Sequence, residues 1–99
     1  MRLYILIRDD LKPGQQAVQA GHALASFMLR HPKNEWKNKT LIYLTVDYWQ
    51  LDVWKNIAEI KNLQYAIFRE PDYNNEQTAI AILANDETKK MFSNLPLLK

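Results

Sequence analysis

LYILIRDDLKPG (residues 3–14) is the stretch of sequence that decides the fold. Leu3–Ile7 is apolar at every position, which predicts a short central strand that is buried on both faces. Arg8, Asp9 and Asp10 end that strand, and Pro13-Gly14 marks the loop that follows. The stretch therefore predicts a strand over residues 3–7, followed by a polar loop over residues 8–14.

The next element is predicted to be a helix over residues 15–29. Its apolar and small residues recur at helical spacing and predict the face that covers the first strand: Ala17, Val18, Gly21, Leu24, Ala25, Met28 and Leu29. His31-Pro32 ends the helix, because the residue before a proline avoids helical backbone angles. His31 itself is explained as a cap at the helix end.

The remaining sequence predicts three more strands, over residues 40–46, 65–68 and 78–83. A polar, cationic connection (residues 33–39) precedes the second strand, and a helix (residues 48–61) capped by Asp47 follows it. A short helix ends the chain near Leu95-Pro96. The order β-α-β-α-β-β-α predicts one α/β domain (residues 1–99): a small mixed four-stranded sheet, mostly parallel with one antiparallel strand, flanked by helices.

Composition excludes several classes of protein. The chain has 99 residues, no cysteine and a net charge of +2, so disulfide scaffolds and thiolate metal sites are excluded. No segment resembles a membrane span or a signal peptide, and a cytoplasmic location is expected. Residues 1–39 carry seven Lys or Arg against three acids, whereas residues 40–99 carry six against eight. The basic half is consistent with phosphate contacts, and equally with solvated surface lysines.

Two polar loops are predicted to carry the chemistry. Residues 8–14 and 69–76 both follow strands, and ligands of open α/β sheets bind beyond the carboxyl ends of the parallel strands. The candidate side chains on or near these loops are Lys12, His22, Asp72 and Thr78. An imidazole gains and loses a proton near neutral pH, a lysine stabilises negative charge, and a carboxylate with Glu70 nearby orients water.

Each of these residues also has a purely structural interpretation. His22 fits a half-buried helical histidine and Lys12 an exposed loop lysine. Asp72 fits a turn residue after proline, and Thr78 a strand former. Trp49 and Trp54 are expected in the core, while Trp36 in the cationic connection is the candidate for stacking or a subunit contact. No glycine-rich phosphate loop and no metal-ligand spacing occurs, so no cofactor or metal is expected.

Two segments together resemble the type II peptidyl-tRNA hydrolase family. Asp10-Leu11-Lys12-Pro13-Gly14, with Gln19-Ala20-Gly21-His22-Ala23 after it, is similar to that family's N-terminal motif. Glu70 to Ile82 is similar to its later acidic loop and Gln-Thr strand. The resemblance covers nearly the whole chain. It implies cleavage, without a metal, of the ester that joins a peptide to the 3′ end of tRNA.

The resemblance also implies roles for residues of this chain. Asp72 and His22 would position or activate water, Lys12 would stabilise the oxyanion, and Thr78 would donate to the substrate carbonyl. The partners it implies are tRNA and a second copy of the chain in a homodimer. Substrate contacts are expected from Arg8, Gln15, Gln19, Arg69, Asn75 and Gln77.

The chain departs from the family after Gly14. Gln15-Gln16 stand where the family has further lysines, and the acidic loop is shorter and lacks an arginine. Arg8, Arg69 and the Arg30–Lys39 cluster are the cations that would compensate. A non-catalytic module that binds a nucleotide, a small ligand or a protein is the alternative from a different class, and hydrolysis of another ester or amide is a third.

Overall fold

A four-stranded sheet with one α-helix on each face forms the centre of the computed structural model, which describes residues 1–37 and 39–98. Asn38, in the predicted cationic connection, lies outside the described residues. Within those residues, no helix has the length and apolarity to cross a membrane. In chain order the elements are β1 (Arg2–Arg8), α1 (Pro13–Arg30), β2 (Leu41–Val46), α2 (Gln50–Ile60), β3 (Tyr65–Glu70) and β4 (Glu76–Ala84), with 3₁₀ turns at Pro71–Tyr73 and Lys89–Phe92.

The strand order across the sheet is β2-β1-β4-β3. β1 and β2 pair in parallel, whereas β4 pairs antiparallel with both β1 and β3. The α/β class and the mixed four-stranded sheet are confirmed. The prediction of a mostly parallel sheet is wrong, because β4 lies between β1 and β3 and leaves a single parallel pair. β4 is buried from Thr78 to Ala84, which explains its central position. The predicted last helix is also only the 3₁₀ turn Lys89–Phe92.

The α2 face of the sheet is packed mainly by aromatic and large aliphatic side chains. Phe92 lies between two rings, with its centroid 4.2 Å from that of Tyr4 and 4.7 Å from that of Trp54. Leu51 and Ala58 complete the buried side of α2. The prediction of Trp54 in the core is therefore confirmed. Trp49 instead precedes α2 and leaves 55% of its area exposed, so its predicted place in the core is wrong.

Five alanines pack between α1 and the sheet, beside the larger side chains of Leu3, Ile5, Ile7, Leu83 and Phe27. Ala20 and Ala23 of α1 lie against Ala66, Ala79 and Ala81, all fully buried. Short side chains on both sides allow the helix axis to lie close to the sheet. Phe27 fills the wider space near the C-terminal end of the helix.

The predicted buried face of α1 is wrong. The buried residues are Gln16, Gln19, Ala20, Ala23 and Phe27, while most of the predicted face is exposed, namely Ala17, Val18, Gly21, Ala25, Met28 and Leu29. Two glutamines are buried because their amides find hydrogen-bond acceptors; Gln16 Nε2, for example, donates to the Arg8 carbonyl at 3.1 Å. Hydrophobic spacing alone does not reveal such partners.

Trp36 is half-buried, so it is not the exposed stacking residue that the sequence predicts. Its ring packs beside the α1-side core, and Nε1 donates to the Thr40 carbonyl at 2.9 Å. His31 ends α1 as predicted, with its backbone N–H donating to the Phe27 carbonyl. Its Nε2 also hydrogen-bonds the Tyr65 carbonyl at 2.9 Å, which ties the helix end to β3.

We expect Ala20→Leu to lower the free energy of unfolding by about 1–3 kcal/mol, because the added atoms overfill a contact made of alanines. Urea denaturation followed by circular dichroism measures this. The matched control is Ala17→Leu, one turn away on the exposed face of the same helix, where a change within about 0.5 kcal/mol is expected. Equal losses in both variants would contradict the close helix–sheet contact.

Candidate functional site

An irregularity at the start of β4 positions the candidate site. Phe68 pairs with Ala79 and Arg69 pairs with Gln77, so Thr78 lies opposite no residue of β3. This is a β-bulge, a feature that re-aims side chains and is frequent beside functional sites. Thr78 and Ala79 consequently both face α1, and Gln77 faces α2, in place of strict alternation.

A buried hydrogen-bonded chain runs from this bulge to the loop after β3. Thr78 Oγ1 donates to Gln19 Oε1 at 2.6 Å, and Gln19 Nε2 donates to Glu70 Oε1 at 3.0 Å. Thr78 is fully buried and Gln19 is 2% exposed. Because the hydroxyl is used by Gln19, it does not point at a ligand, and Thr78 acts here by holding Gln19. Gln19 in turn fixes one oxygen of the Glu70 carboxylate.

Glu70 lies at a cleft of about 450 Å³ under the N-terminal end of α1. The lining residues are Lys12, Gly14, Gln15, Val18, Gln19, Glu70 and Tyr73. Lys12 is exposed and forms no ion pair with any described residue. Its backbone N–H is capped by Gln15 Oε1 at 3.2 Å, so the Gln15 side chain serves the helix start. A free ammonium group and an oriented carboxylate thus share one cleft.

A tight turn closes the loop after Glu70. Asn74 and Asn75 have left-handed backbone angles, with φ of 55° and 60°, which asparagine tolerates better than most residues. The Asn75 N–H donates to the Glu70 carbonyl at 2.9 Å. Asn75 therefore shapes the loop that carries Glu70 and Tyr73.

The remaining predicted catalytic residues lie outside this cleft's lining. His22 is exposed on α1, and its ring stacks on Phe68 with a centroid distance of 4.4 Å. Asp72 is exposed in the 3₁₀ turn Pro71–Tyr73. His22 lies one turn after Gln19 on α1, and Asp72 directly precedes Tyr73, and both Gln19 and Tyr73 line the cleft. The structure thus unites Lys12 with Gln19 and Glu70, and places His22 and Asp72 at the border.

The opposite side of β4 carries an ion-pair network. Arg8, with a side chain only 12% exposed, binds Asp10 at 2.7 Å and Glu76 at 2.8 Å, and its Nη1 donates to the Gln77 carbonyl. The Gln77 Nε2 donates to Asp52 at 2.7 Å. The residues of this network line a second cleft, of about 510 Å³, and Arg69 lines it with them. Arg8 and Gln77 therefore have partners within the protein, and their role as substrate contacts stays a prediction.

These contacts change the proton affinity of several groups. Hydrogen bonding to Asp10 raises the pKa of Arg8 above its ordinary value, and the same contact lowers the pKa of Asp10. Desolvation, followed by the hydrogen bond to Asp47, raises the pKa of Asp9. Two carboxylates at the ends of the parallel strands β1 and β2 therefore repel each other beside the Arg8 network.

The described charges are divided between the two ends of the sheet. The carboxyl ends of β1–β3, where both clefts lie, carry three cations (Arg8, Lys12 and Arg69) and seven carboxylates, namely Asp9, Asp10, Asp47, Asp52, Glu70, Asp72 and Glu76. The other end carries the cations Arg2, Arg30, Lys33, Lys37, Lys39, Lys61 and Lys89, and the carboxylates Glu35, Glu59, Asp86 and Glu87. The Arg30–Lys39 cluster therefore lies across the molecule and does not compensate for the lysines that the cleft lacks.

Sequence reasoning underestimated Gln19 and Glu70. The sequence places Glu70 only near Asp72 and predicts Gln19 only as a substrate contact, yet their hydrogen bond organises the cleft. The signal in the sequence is the pair Gln16 and Gln19, because two amides three residues apart on a helix suit a face that meets polar groups.

Within residues 1–37 and 39–98, no group of three or more His, Asp or Glu side chains is arranged to hold a metal ion.

Comparison with known proteins gives the fold and no activity. No family model and no curated protein matches the chain. A solved structure of an Agrobacterium tumefaciens protein of unknown function, Atu0240, is similar with a TM-score of 0.74 and 12% sequence identity. The similarity covers 97% of this chain and 96% of that chain. At that identity it establishes a shared fold over essentially the whole length.

We expect Thr78→Val to lower the free energy of unfolding by about 1–3 kcal/mol, since it leaves the buried Gln19 Oε1 without a donor. The matched control is Thr78→Ser, which keeps the hydroxyl and loses one methyl group, for about 1 kcal/mol. Urea denaturation of both variants measures the difference. A Val variant as stable as the Ser variant would show that the hydroxyl does not hold Gln19.

The Arg8–Asp10 pair predicts a pH dependence of stability. Because the pKa of Asp10 is lowered by folding, its charge stabilises the fold above about pH 4, the ordinary value for Asp. This contribution is lost as the pH falls through the lowered value. Asp10→Asn is expected to lower the free energy of unfolding by about 0.5 kcal/mol at pH 7, a small effect because the carboxylate is half exposed. The denaturation curves of Asp10→Asn and of the unmodified chain should differ at pH 7 and coincide near pH 2. An equal difference in the free energy of unfolding at both pH values would contradict this role of the Asp10 charge.

Proposed function

We propose that the chain is an ester hydrolase of the type II peptidyl-tRNA hydrolase kind, acting on an acyl group linked to the 3′ end of an RNA. The observation that carries the proposal is the cleft shared by an unpaired Lys12 and by a Glu70 carboxylate that Gln19 orients. The sequence motifs around Lys12 and Thr78 support the same assignment. The cytoplasm, where aminoacylated RNA is used, is the proposed location.

The proposed reaction uses only water and the side chains of the cleft. Glu70 accepts a proton from a water molecule while the water oxygen bonds to the ester carbonyl carbon. The carbonyl oxygen becomes an oxyanion, which the Lys12 ammonium stabilises. When this intermediate collapses, the bond to the 3′ oxygen breaks, and that oxygen takes the proton from Glu70. The products are a free carboxylic acid and a free RNA end.

The other motif residues take supporting roles in this proposal. Thr78 and Gln19 hold the Glu70 carboxylate and are positioning residues. His22 and Asp72 border the cleft and are proposed to contact the substrate rather than to activate the water. This differs from the roles that the family resemblance implies, where Asp72 and His22 act on the water and Thr78 donates to the substrate.

The charge around the cleft limits how the RNA is held. Seven carboxylates repel a phosphate backbone, so the proposal assigns recognition to the terminal nucleotide and the acyl group rather than to the RNA body. Few phosphate contacts predict a shallow dependence of binding on salt concentration. In its small number of phosphate contacts, the proposed binding mode differs from that of enzymes that bind tRNA through lysines beside the cleft.

The test measures release of the acyl group from N-acetyl-aminoacyl-tRNA labelled in the amino acid. Glu70→Gln is expected to reduce kcat by about 10²–10⁴-fold, the contribution of a general base, and Lys12→Met by about 10²–10³-fold. The matched controls are Glu59→Gln and Lys55→Met, a partly exposed ion pair on α2 outside the cleft lining, which should leave the rate unchanged.

The same assay distinguishes the supporting roles. His22→Ala and Asp72→Asn should raise KM more than they lower kcat, because they are assigned to substrate contact. Full activity in Glu70→Gln would contradict the proposed base. Absence of turnover in the unmodified chain, on this substrate and on short N-acyl nucleotide esters, would overturn the hydrolase.

A non-catalytic binding module is the second candidate, and the acidic charge of this end of the sheet favours it. The cleft has one free ammonium and one lining carboxylate, and it lies at an end of the sheet that carries seven carboxylates. Such a site suits a small neutral or cationic ligand better than a polyanion. Binding of the N-acyl nucleotide without turnover, abolished by Lys12→Met and unaffected by Lys55→Met, would support this candidate over the enzyme.

A further inference from the structure

The two edges of the sheet differ in whether they are covered. Residues 96–98 of the same chain pair with the outer edge of β2, where Leu97 forms an antiparallel bridge with Leu44. The Leu98 N–H donates to the Tyr43 carbonyl at 3.0 Å. At the other edge lies β3, which pairs with β4 and with no other described strand. One edge is therefore closed by an extended segment of the chain, and the other is open.

The direction of the backbone groups along β3 follows from two hydrogen bonds at its ends. The Gln64 carbonyl accepts the Leu83 N–H at 3.0 Å, and the Glu70 carbonyl accepts the Asn75 N–H at 2.9 Å. Residues of an antiparallel strand direct their N–H and C=O groups alternately toward and away from the partner. The bulge lies in β4, so it does not interrupt this alternation in β3. Even-numbered residues of β3 therefore face β4, and odd-numbered residues face outward.

The outward backbone groups of β3 are largely unpaired. The Tyr65 carbonyl is the exception, because it accepts from His31 Nε2. Ile67 and Arg69 have no outward backbone partner among residues 1–37 and 39–98. Native edges are usually protected by proline or by charged side chains, and residues 65–68 contain neither. This edge is thus a template on which another extended chain can pair.

An exposed stripe of α1 lies beside the same edge. Val18, His22 and Leu29 follow one another at helical spacing, and the His22 ring stacks on Phe68 of β3. Val18 exposes 54% of its area and Leu29 exposes 83%. An added strand on β3 would lie under this stripe and cover it. The stripe and the edge also meet the Lys12 cleft at one end, because Val18 and Glu70 line that cleft.

We propose that the outer edge of β3 binds the main chain of a peptidyl acyl group, which adds to the sheet as a fifth strand. The inference rests on the proposed hydrolase and assigns a binding site to its acyl group. The reacting carbonyl lies at Glu70, at the carboxyl end of β3, and it belongs to the C-terminal residue of the peptide. The peptide therefore runs parallel to β3, with its N-terminal part beside Tyr65.

Strand addition explains how one cleft accepts peptides of different sequence. Main-chain hydrogen bonds supply the affinity in this mode of recognition, and they are the same for every residue except proline. The outward N–H and C=O groups of Ile67 and Arg69 bond alternate residues of the added strand, over about four residues. Side chains on the α1 side of that strand meet Val18 and His22, which agrees with the proposed contact of His22 with the substrate.

The first test varies the length of the peptide. N-acetyl-peptidyl-tRNA substrates with one to five alanines are compared in the hydrolysis assay. We expect kcat/KM to rise about 10-fold or more between one and four residues and then to level off, because each added pair of hydrogen bonds strengthens binding until the edge ends. Methylation of one peptide nitrogen at a time should weaken this gain at every second residue, since only alternate N–H groups face β3.

A pair of variants at one position tests the edge from the protein side. Arg69→Pro removes one outward N–H and leaves the pairing with β4, because proline is tolerated where the N–H faces away from the sheet. The control Arg69→Ala removes the side chain and keeps the N–H. The ratio of kcat/KM for four residues to that for one residue should fall about 3–10-fold in the Pro variant and be kept in the Ala variant. If circular dichroism shows that Arg69→Pro does not fold, the methylated peptides decide the question.

A binding measurement separates this site from catalysis. N-acetyl-tetraalanine amide, which has no ester, is titrated into the unmodified chain and followed by the amide NMR signals. We expect the signals of Ile67 and Arg69 to shift, and their hydrogen exchange to slow. These changes without hydrolysis of any substrate would refute the hydrolase and support the edge site. Hydrolysis with no dependence on peptide length, methylation effects without alternation, or unchanged Ile67 and Arg69 signals would overturn the edge site.

Discussion

The hydrogen bond from Thr78 to Gln19 is the contact on which the organisation of this protein depends. It forms only because alanines between α1 and the sheet bring the helix close enough for a buried amide to reach a strand hydroxyl. The bulge in β4 is equally necessary, since regular alternation would direct Thr78 to the α2 side. One contact therefore links the central strand, the first helix and the carboxylate of the cleft.

The placement of β4 explains why both clefts lie at one end of the sheet. β4 runs against β1 and β3 and begins where they end, so its first residues meet the loops that follow those strands. On the α2 side, Glu76 and Gln77 complete the network around Arg8. On the α1 side, Thr78 supports Glu70 through Gln19. The result is a polar end in which Arg8, Asp10 and Glu76 form ion pairs, while Lys12 is exposed and unpaired among the described residues.

The division of charge between the two ends follows from the same topology. The loops after β1, β2 and β3 are rich in acids, and the segment that joins α1 to β2 is rich in lysine. The near-neutral net charge thus combines an acidic end, where both clefts lie, with an end that carries an excess of cations. The excess of carboxylates at the acidic end disfavours a phosphate backbone at the cleft.

The sequence by itself determined the elements and their class. Apolar runs located the strands, helical spacing located α1 and α2, and the polar loops located the end of the sheet where the clefts lie. The tertiary structure alone decided which strands are neighbours, which face of α1 is buried, and which side Thr78 takes. Local patterns record hydrophobicity and backbone preference, whereas these features depend on partners distant in sequence: Ala79 and Ala81 for the face of α1, Phe68 and Arg69 for the bulge, and Glu70 for the buried amide of Gln19.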